Sequence, residues 1–231
     1  MRMPAICLAA GSGSRLGRAK PAVELAAGTP LGAAVVLALA RAGFSPVIVV
    51  VRPDDDLAWL DVLPAGLSVR PFVCADAALG MSRSIRCGVM AAMDGGEPPD
   101  AVMIALADMP FLTAGKLAEW RAVWTLEPER DFVAGRSGGT ILPPVLWPRR
   151  RFGDLLHLEG DAGAGALIRS GALRGAFVEM TGPESLDLDT PEQLEHARAI
   201  WQALMNVHDA QSIPNSFIPK ANSMSCKLTH S

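Results

Sequence analysis

Apolar and polar positions alternate in two rhythms along the first half of the chain. Unbroken apolar runs of strand length cover Ala5–Ala9, Val47–Val51 and Ala101–Leu106, and a weaker alternation containing Pro71 covers Leu67–Val73. Val47–Val51 is β-branched throughout, a side-chain type that packs well on a pleated surface. Runs with no polar face are what strands covered on both sides require. Helical stretches lie between them. Thr29-Pro30 reads as an N-cap followed by proline at the first helical position, and the apolar run after it stops at Ala42-Gly43. Ser82–Met93 ends before Gly95-Gly96, and Thr113 caps a stretch reaching about Thr125. This order of strands and helices predicts parallel pairing through right-handed crossovers, hence an α/β fold of three layers, α/β/α, with a mostly parallel sheet. Ligands of such sheets sit beyond the carboxyl ends of the strands.

The second half is less regular. Residues 135–165 are dense in Gly, Pro and Arg, Ala176–Met180 reads as a strand, and Thr190-Pro191-Glu192 opens a helix to about Met205. From Asn206 the chain is polar, with five serines, two prolines and no periodicity. One domain over residues 1–205 and a disordered tail over 206–231 are expected.

Composition narrows the function. Half of the 231 residues are apolar, enough for a sizeable core, and 21 basic against 24 acidic residues give a net charge of −3. That balance carries no electrostatic footprint for nucleic acid. No apolar run approaches the roughly 18 residues of a membrane span; the longest, Pro30–Ala40, ends at Arg41. Residues 1–10 make a poor export signal, so the expected location is cytoplasmic. Cys7, Cys74, Cys87 and Cys226 form no CxxC pair, which indicates neither a zinc site nor a disulfide framework. The histidines are scattered and tyrosine is absent.

The chemistry concentrates after the first strand, in Leu8-Ala9-Ala10-Gly11-Ser12-Gly13-Ser14-Arg15-Leu16-Gly17-Arg18-Ala19-Lys20. A loop rich in glycine and serine can turn its N–H groups inward as an anion-binding nest. Arg15 and Lys20 add fixed positive charge, a combination suited to a triphosphate. The spacing is not that of a P-loop, which needs GxxxxGK[ST]. A dinucleotide loop should open directly into a helix, whereas Pro21, Gly28 and Pro30 interrupt the chain just beyond Lys20. Arg52, at the end of the second strand, keeps an NADP 2′-phosphate reading open. Asp108 in Leu106-Ala107-Asp108-Met109-Pro110 comes after a buried strand and stands in the expected ligand crevice, either as a turn residue or as a Mg²⁺ ligand. Gly80-Met81-Ser82-Arg83-Ser84 opens a helix and favours anions there.

Leu8-Ala9-Ala10-Gly11-x-Gly13-x-Arg15-Leu16-Gly17-x-x-Lys20 resembles the LAAGxSxRMGxxK signature of the MobA/MocA-like nucleotidyltransferases, the molybdenum-cofactor nucleotidylyltransferases. The resemblance implies a single-domain, Rossmann-like nucleotidyltransferase fold whose loop wraps a nucleoside triphosphate. It assigns phosphate binding to Arg15 and Lys20, and nucleotide contacts to Leu8, Ala9, Ala10, Gly11, Gly13 and Ser14. Gly80, Met81 and Ser82 join these contacts through a match to the family's GMSxSL segment. Asp108 matches its metal-binding DxP. Asp187-Leu188-Asp189-Thr190-Pro191-Glu192 resembles DIDTPED, making Asp189 a second metal ligand or only the cap of the last helix, with Asp187 the weaker choice. The Ala-Ala-Gly form of the loop resembles the CTP-using branch rather than the GTP-using one.

The acceptor half departs from the pattern. Gly160-Asp161-Ala162-Gly163-Ala164-Gly165 resembles GDxGAR with glycine in place of the arginine, and Gly138–Leu146 keeps Pro-Val-Leu of GHPVL without its histidine. Arg149, Arg150 and Arg151 are candidates for an anionic acceptor, or a solvated charge run. The resemblance implies transfer of CMP from CTP to the phosphate of molybdopterin with Mg²⁺ as cofactor, and a client molybdoenzyme as partner. A phosphate acceptor is already anionic at pH 7, so no His or Tyr base is needed. Three other readings stay open: GTP as donor, a sugar phosphate or other phosphorylated metabolite as acceptor, and a non-catalytic cofactor carrier.

Overall fold

The structure is a computed structural model that describes residues 1–11, 19–94, 96–161, 163–186 and 188–210, with side chains described through residue 206. Nine strands and six α-helices are described: β1 (Ala5–Leu8), β2 (Glu24–Ala26), β3 (Thr29–Pro30), α1 (Leu31–Arg41), β4 (Val47–Val51), β5 (Val69–Val73), α2 (Met81–Met93), β6 (Ala101–Leu106), α3 (Ala114–Leu126), β7 (Phe132–Ser137), β8 (Thr140–Pro148), α4 (Phe152–Leu156), α5 (Gly165–Arg169), β9 (Gly175–Glu179) and α6 (Pro191–Ala210). The main sheet has the order β5-β4-β1-β6-β8-β7-β9. β5, β4, β1 and β6 pair in parallel; β8 runs against both neighbours, and β9 is parallel to β7.

Strand periodicity sorts the apolar runs onto two buried faces. Ala5, Cys7, Val47, Val49, Met103 and Ala105 face α1 and α3, whose Val36, Leu39, Leu117 and Trp120 share their cluster. Ile6, Leu8, Ile48, Val50, Val102 and Ile104 face the opposite way, with Ile85 and Val89 of α2 and Phe152 and Leu155 of α4. This is the expected three-layer arrangement. The chain first builds outward from β1 through β4 to β5, then returns to the other side of β1 as β6. The order therefore reverses at β1, and the crevice beyond β1 and β6 is the ligand position for this topology.

Several local expectations are corrected. Thr29 is not the cap of α1: Thr29–Pro30 pairs with β2 as a short hairpin, and extended Pro30 becomes the N-cap residue. Backbone pairing outcompetes the local capping signal there. The start of the less regular stretch 135–165 is in fact part of the β7–β8 hairpin. Its two-residue turn, Gly138-Gly139, has φ of 54° and 83°, the left-handed pair that a type I′ turn needs. Pro143 and Pro144 masked β8 because proline cannot donate to a ladder; they fall at the register shift opposite Ala134/Gly135. Helix α6 runs to Ala210, beyond the expected end near Met205. Residues 211–231, most of the expected tail, lie outside the described residues. Among the described residues no helix is long and apolar enough to cross a membrane.

Candidate active site

The carboxyl ends of β1 and β6 carry the site. Ala9 donates its N–H to Val50 O at 2.9 Å, and Ala107 to Leu8 O at 3.1 Å, so the first residues past each strand stay tied to the sheet. Leu8, Ala9 and Ala10 are buried, and Gly11 is exposed at the mouth. Gly13, Ser14 and Arg15 lie outside the described residues, as does Asp187. The chain re-enters the site at Lys20, which opens a single 3₁₀ turn, Lys20–Ala22, anchored by buried Pro21.

Lys20 joins two acids from distant parts of the chain. Its Nζ donates to Asp108 Oδ2 at 2.8 Å and to Asp189 Oδ1 at 2.5 Å. Lys20 and Asp108 are 18% and 19% exposed and Asp189 is 43% exposed, so the cluster opens to solvent on the Asp189 side. Burial alone would lower the Lys20 pKa. Asp108 and Asp189 outweigh burial and hold it above the ordinary lysine value, so the ammonium is charged at neutral pH.

Asp189 is not the cap of α6. Thr190 Oγ1 accepts from Gln193 N at 3.3 Å, and Gln193 Oε1 accepts from the backbone of Asp189 and Thr190 at 2.8 and 2.9 Å. Thr190 and Gln193 thus finish the helix end, and the Asp189 carboxylate is directed to Lys20. The donor set fits a hard divalent cation: two carboxylate oxygens from separate elements converge on one positive atom, and Mg²⁺ is held by few carboxylates plus water and phosphate oxygens.

The start of α2 forms the adjoining wall. Gly80 is its N-cap residue, at φ 123° and ψ 165°. A Cβ on Gly80 would stand 2.4 Å from Gly160 O and 2.9 Å from Asp161 Oδ1. The same carbonyl accepts from Ser82 N at 3.2 Å. This close approach binds the GMSxSL-like and GDxGAR-like segments into one surface. Ser82 is fully buried, yet its Oγ has no partner among the described residues. Unsatisfied buried hydroxyls are uncommon and costly, so Ser82 is a donor in reserve at a helix N-terminus. Met81 Sδ would stand 2.9 Å from a Cβ on Gly163.

Beyond this wall is a cavity of about 260 Å³, lined by Leu8, Met81, Ile85, Leu106, Ile141 and Pro143 among others. Asp161 and Arg169 also line it. Gly165 stands where the related motif has arginine, and Arg169 follows one helical turn later, outside that motif. A Cβ on Gly165 would lie 3.3 Å from Arg169 Nη1. The i, i+4 spacing puts both positions on one face of α5.

The arginine run is structural. Arg149 donates to the carbonyls of Pro98 and Pro99, Arg150 to those of Pro128 and Glu129, and Arg151 to Asp131 at 2.7 Å and Asp154 at 3.1 Å. These residues tie neighbouring loops together; they are neither idle surface charge nor an open anion site. Arg52, the cation that the NADP reading invoked, pairs with Asp54 at 2.9 Å on the surface.

Replacing Lys20 with alanine leaves Asp108 and Asp189 without their shared cation. Triphosphate affinity is expected to fall about 10- to 100-fold, the loss for one charge-assisted contact. Titration calorimetry checks this; unchanged affinity excludes a phosphate role for Lys20.

Comparison with known proteins agrees with this geometry. A family profile described as the MobA-like NTP transferase domain matches residues 5–176. Purine catabolism protein PucB of Bacillus subtilis (strain 168) is 33% identical over 210 residues, spanning 86% of this chain and 98% of its own. The homologue of Mycobacterium tuberculosis Rv0371c from Mycobacterium sp. strain JC1 has a TM-score of 0.71 at 27% identity, over 88% of this chain and 100% of that one. Molybdopterin-guanine dinucleotide biosynthesis protein A from Archaeoglobus fulgidus shares the fold, with a TM-score of 0.62 at 18% identity over 88% and 100% of the two chains.

Proposed function

The chain belongs to the MobA-like NTP transferase family and is a nucleotidyltransferase, and from that premise we propose that it transfers CMP from CTP to the phosphate of molybdopterin. One observation carries the assignment of the reaction centre: Lys20 draws Asp108 and Asp189 together at the carboxyl ends of the strands. A triphosphate enters this centre over the loop from Leu8 to Lys20, with Gly13, Ser14 and Arg15 in the roles that the resemblance gives them. Asp108 and Asp189 hold a divalent cation, Mg²⁺ in this reading. When bound, the cation supplies charge stabilisation at the α-phosphate and at the departing pyrophosphate.

The remaining work falls to the chain itself. Lys20 offsets negative charge that grows on the β- and γ-phosphates. The first turn of α2, Gly80 to Ser82, orients the nucleoside. An acceptor phosphate oxygen forms a bond to the α-phosphorus, the bond to the β-bridging oxygen breaks, and pyrophosphate leaves with its electron pair. The nucleophile is already anionic, so positioning and electrostatics carry catalysis and no proton is removed. Ala10 supports cytidine over guanosine, since the loop has the Ala-Ala-Gly form.

Arg169 belongs to the acceptor side of this reading. It lines the apolar cavity, and its Nη1 lies 3.3 Å from where a Cβ on Gly165 would stand. The apolar lining can take the face of an acceptor's ring system, while Asp161 and Arg169 offer it polar contacts. Arg169→Ala is expected to raise KM for the acceptor about 10-fold or more, with CTP affinity unchanged. Steady-state kinetics with each substrate varied in turn checks it; a loss in CTP affinity instead would move Arg169 to the nucleotide side.

The departure at Gly165 also favours a second reading, another phosphorylated acceptor on the same centre. Pyrophosphate release measured with CTP or GTP, each with molybdopterin or a sugar phosphate, separates the cases. Release that needs both CTP and molybdopterin establishes the first reading, with a client molybdoenzyme as the recipient of the product. Release with GTP alone overturns the cytidine assignment. Binding of cofactor with no pyrophosphate from any pair leaves a carrier.

A further inference from the structure

Two cysteines that their spacing left unrelated meet in the fold. Cys74 sits directly after β5, donates its N–H to Val51 O at 2.9 Å and is fully buried. Cys87 lies in α2 and is partly exposed. The Cys87 thiol donates to the Cys74 sulfur at 2.8 Å, and the Cys74 thiol donates to Asp76 Oδ1 at 3.3 Å. The two sulfurs need to approach by less than about 1 Å to reach the roughly 2.05 Å of a disulfide. We propose that Cys74 and Cys87 form a reversible disulfide site that, once oxidised, clamps the connection from β5 to α2. Both are free thiols in the structure, in keeping with the absence of a disulfide framework expected from their spacing.

A metal site is the competing use of these groups, because Cys74, Asp76 and Cys87 place ligand atoms within 4.8 Å of one another. Two observations favour the dithiol. Thiolates on one tetrahedral zinc, with bonds of about 2.3 Å, stand roughly 3.7 Å apart, wider than this pair. The Asp76 carboxylate also pairs with the Arg83 guanidinium at 3.4 Å, a fixed cation beside the position a metal would take.

Access sets the order of events. A low-molecular-weight disulfide such as oxidised glutathione reaches Cys87 first. The deprotonated Cys87 sulfur attacks one glutathione sulfur, forming a mixed disulfide and releasing one glutathione thiolate. Cys74 gives its proton to the glutathione thiolate just released. It then attacks the Cys87 sulfur, breaking the mixed disulfide and releasing the second glutathione. Two electrons move from the cysteine pair to the glutathione disulfide. Burial, with Cys87 and Asp76 adding, pushes Cys74 up to about 12, which leaves the first attack to Cys87. Cys7 is pushed up to about 12 by burial and by Asp108, and it takes no part.

The clamped segment includes Gly80, Met81 and Ser82, so closure fixes the wall of the site without new contacts to a ligand. The bridge removes loop freedom from the unfolded chain, and the melting temperature is expected to rise by about 5–10 °C. The test incubates the reduced full-length chain with oxidised glutathione and maps its peptides by mass. Expected are a single Cys74–Cys87 bridge, loss of two of the four thiols, the rise in melting temperature, and reversal by dithiothreitol. Cys7→Ser leaves the bridge intact, and Cys87→Ser abolishes it. A glutathione adduct that persists on Cys87, a bridge that uses Cys226 in place of either partner, or protection of both thiols by stoichiometric Zn²⁺ overturns the proposal.

Discussion

Asp108→Asn is expected to lower turnover by about 10²–10³, the usual loss when one preorganised charged group is removed from a reaction centre. The substitution keeps the shape of the side chain and one oxygen that can still accept from Lys20. It removes the charge that balances Lys20 and that, with Asp189, would hold the proposed divalent cation. Nucleotide affinity falls less than turnover, because the loop contacts and Lys20 remain. The fold should tolerate the change: a partly exposed ion pair contributes about 1 kcal/mol or less. Stopped-assay turnover across a Mg²⁺ titration checks the claim. Near-normal activity with an unchanged Mg²⁺ requirement removes Asp108 from the centre.

Gly80→Ala is expected to damage stability and nucleotide binding together. At φ 123° and ψ 165°, Gly80 occupies a backbone region that is essentially closed to other residues, at a cost of about 1–3 kcal/mol for a side chain there. Steric conflict adds to this, because the new Cβ would sit 2.4 Å from the Gly160 carbonyl oxygen, a backbone atom that cannot rotate away. The first turn of α2 must shift, carrying Ser82 and Met81 with it. A melting temperature lower by about 4–10 °C and a triphosphate affinity at least tenfold weaker are expected. Gly66→Ala is the control. Gly66 is also left-handed, at φ 87°, but nothing lies within 4 Å of its Cβ position. It should lose stability alone. Equal effects of the two variants on nucleotide binding would show that α2 plays no part in the subsite.

The parts of this molecule that depend on one-dimensional pattern were legible in the sequence. Val47–Val51 and Ala101–Leu106 match β4 and β6 at both ends, because a strand buried on both faces leaves an unbroken apolar run. Thr113 caps α3 as expected, its side chain accepting from Lys116 N at 3.1 Å. The sequence order of β1, β4 and β6 also located the crevice, and with it the neighbourhood of Asp108. What long-range contact decides was not legible. Asp189 was readable as a second metal ligand or as the cap of the last helix, and Gln193 with Thr190 takes over the cap. The β7–β8 hairpin was hidden behind Pro143 and Pro144, even though Gly138-Gly139 carried a turn signal. Arg149, Arg150 and Arg151 looked like one feature and are three separate ties to loop carbonyls and acids. Cys74 and Cys87 are brought together by a helix packing over a strand end, which spacing does not encode.

The most direct test of nucleotidyl transfer at this centre tracks the two ends of the triphosphate separately. CTP and GTP carrying label at either the α- or the γ-phosphorus are incubated with the protein, Mg²⁺ and molybdopterin. The products are then separated. The α-label is expected in the acceptor and the γ-label in pyrophosphate, in equal amounts, with both lost in Asp108→Asn. Label from the γ-phosphorus in the acceptor, or its release as orthophosphate with no labelled acceptor, would contradict cleavage between the α- and β-phosphates and the roles given to Lys20, Asp108 and Asp189.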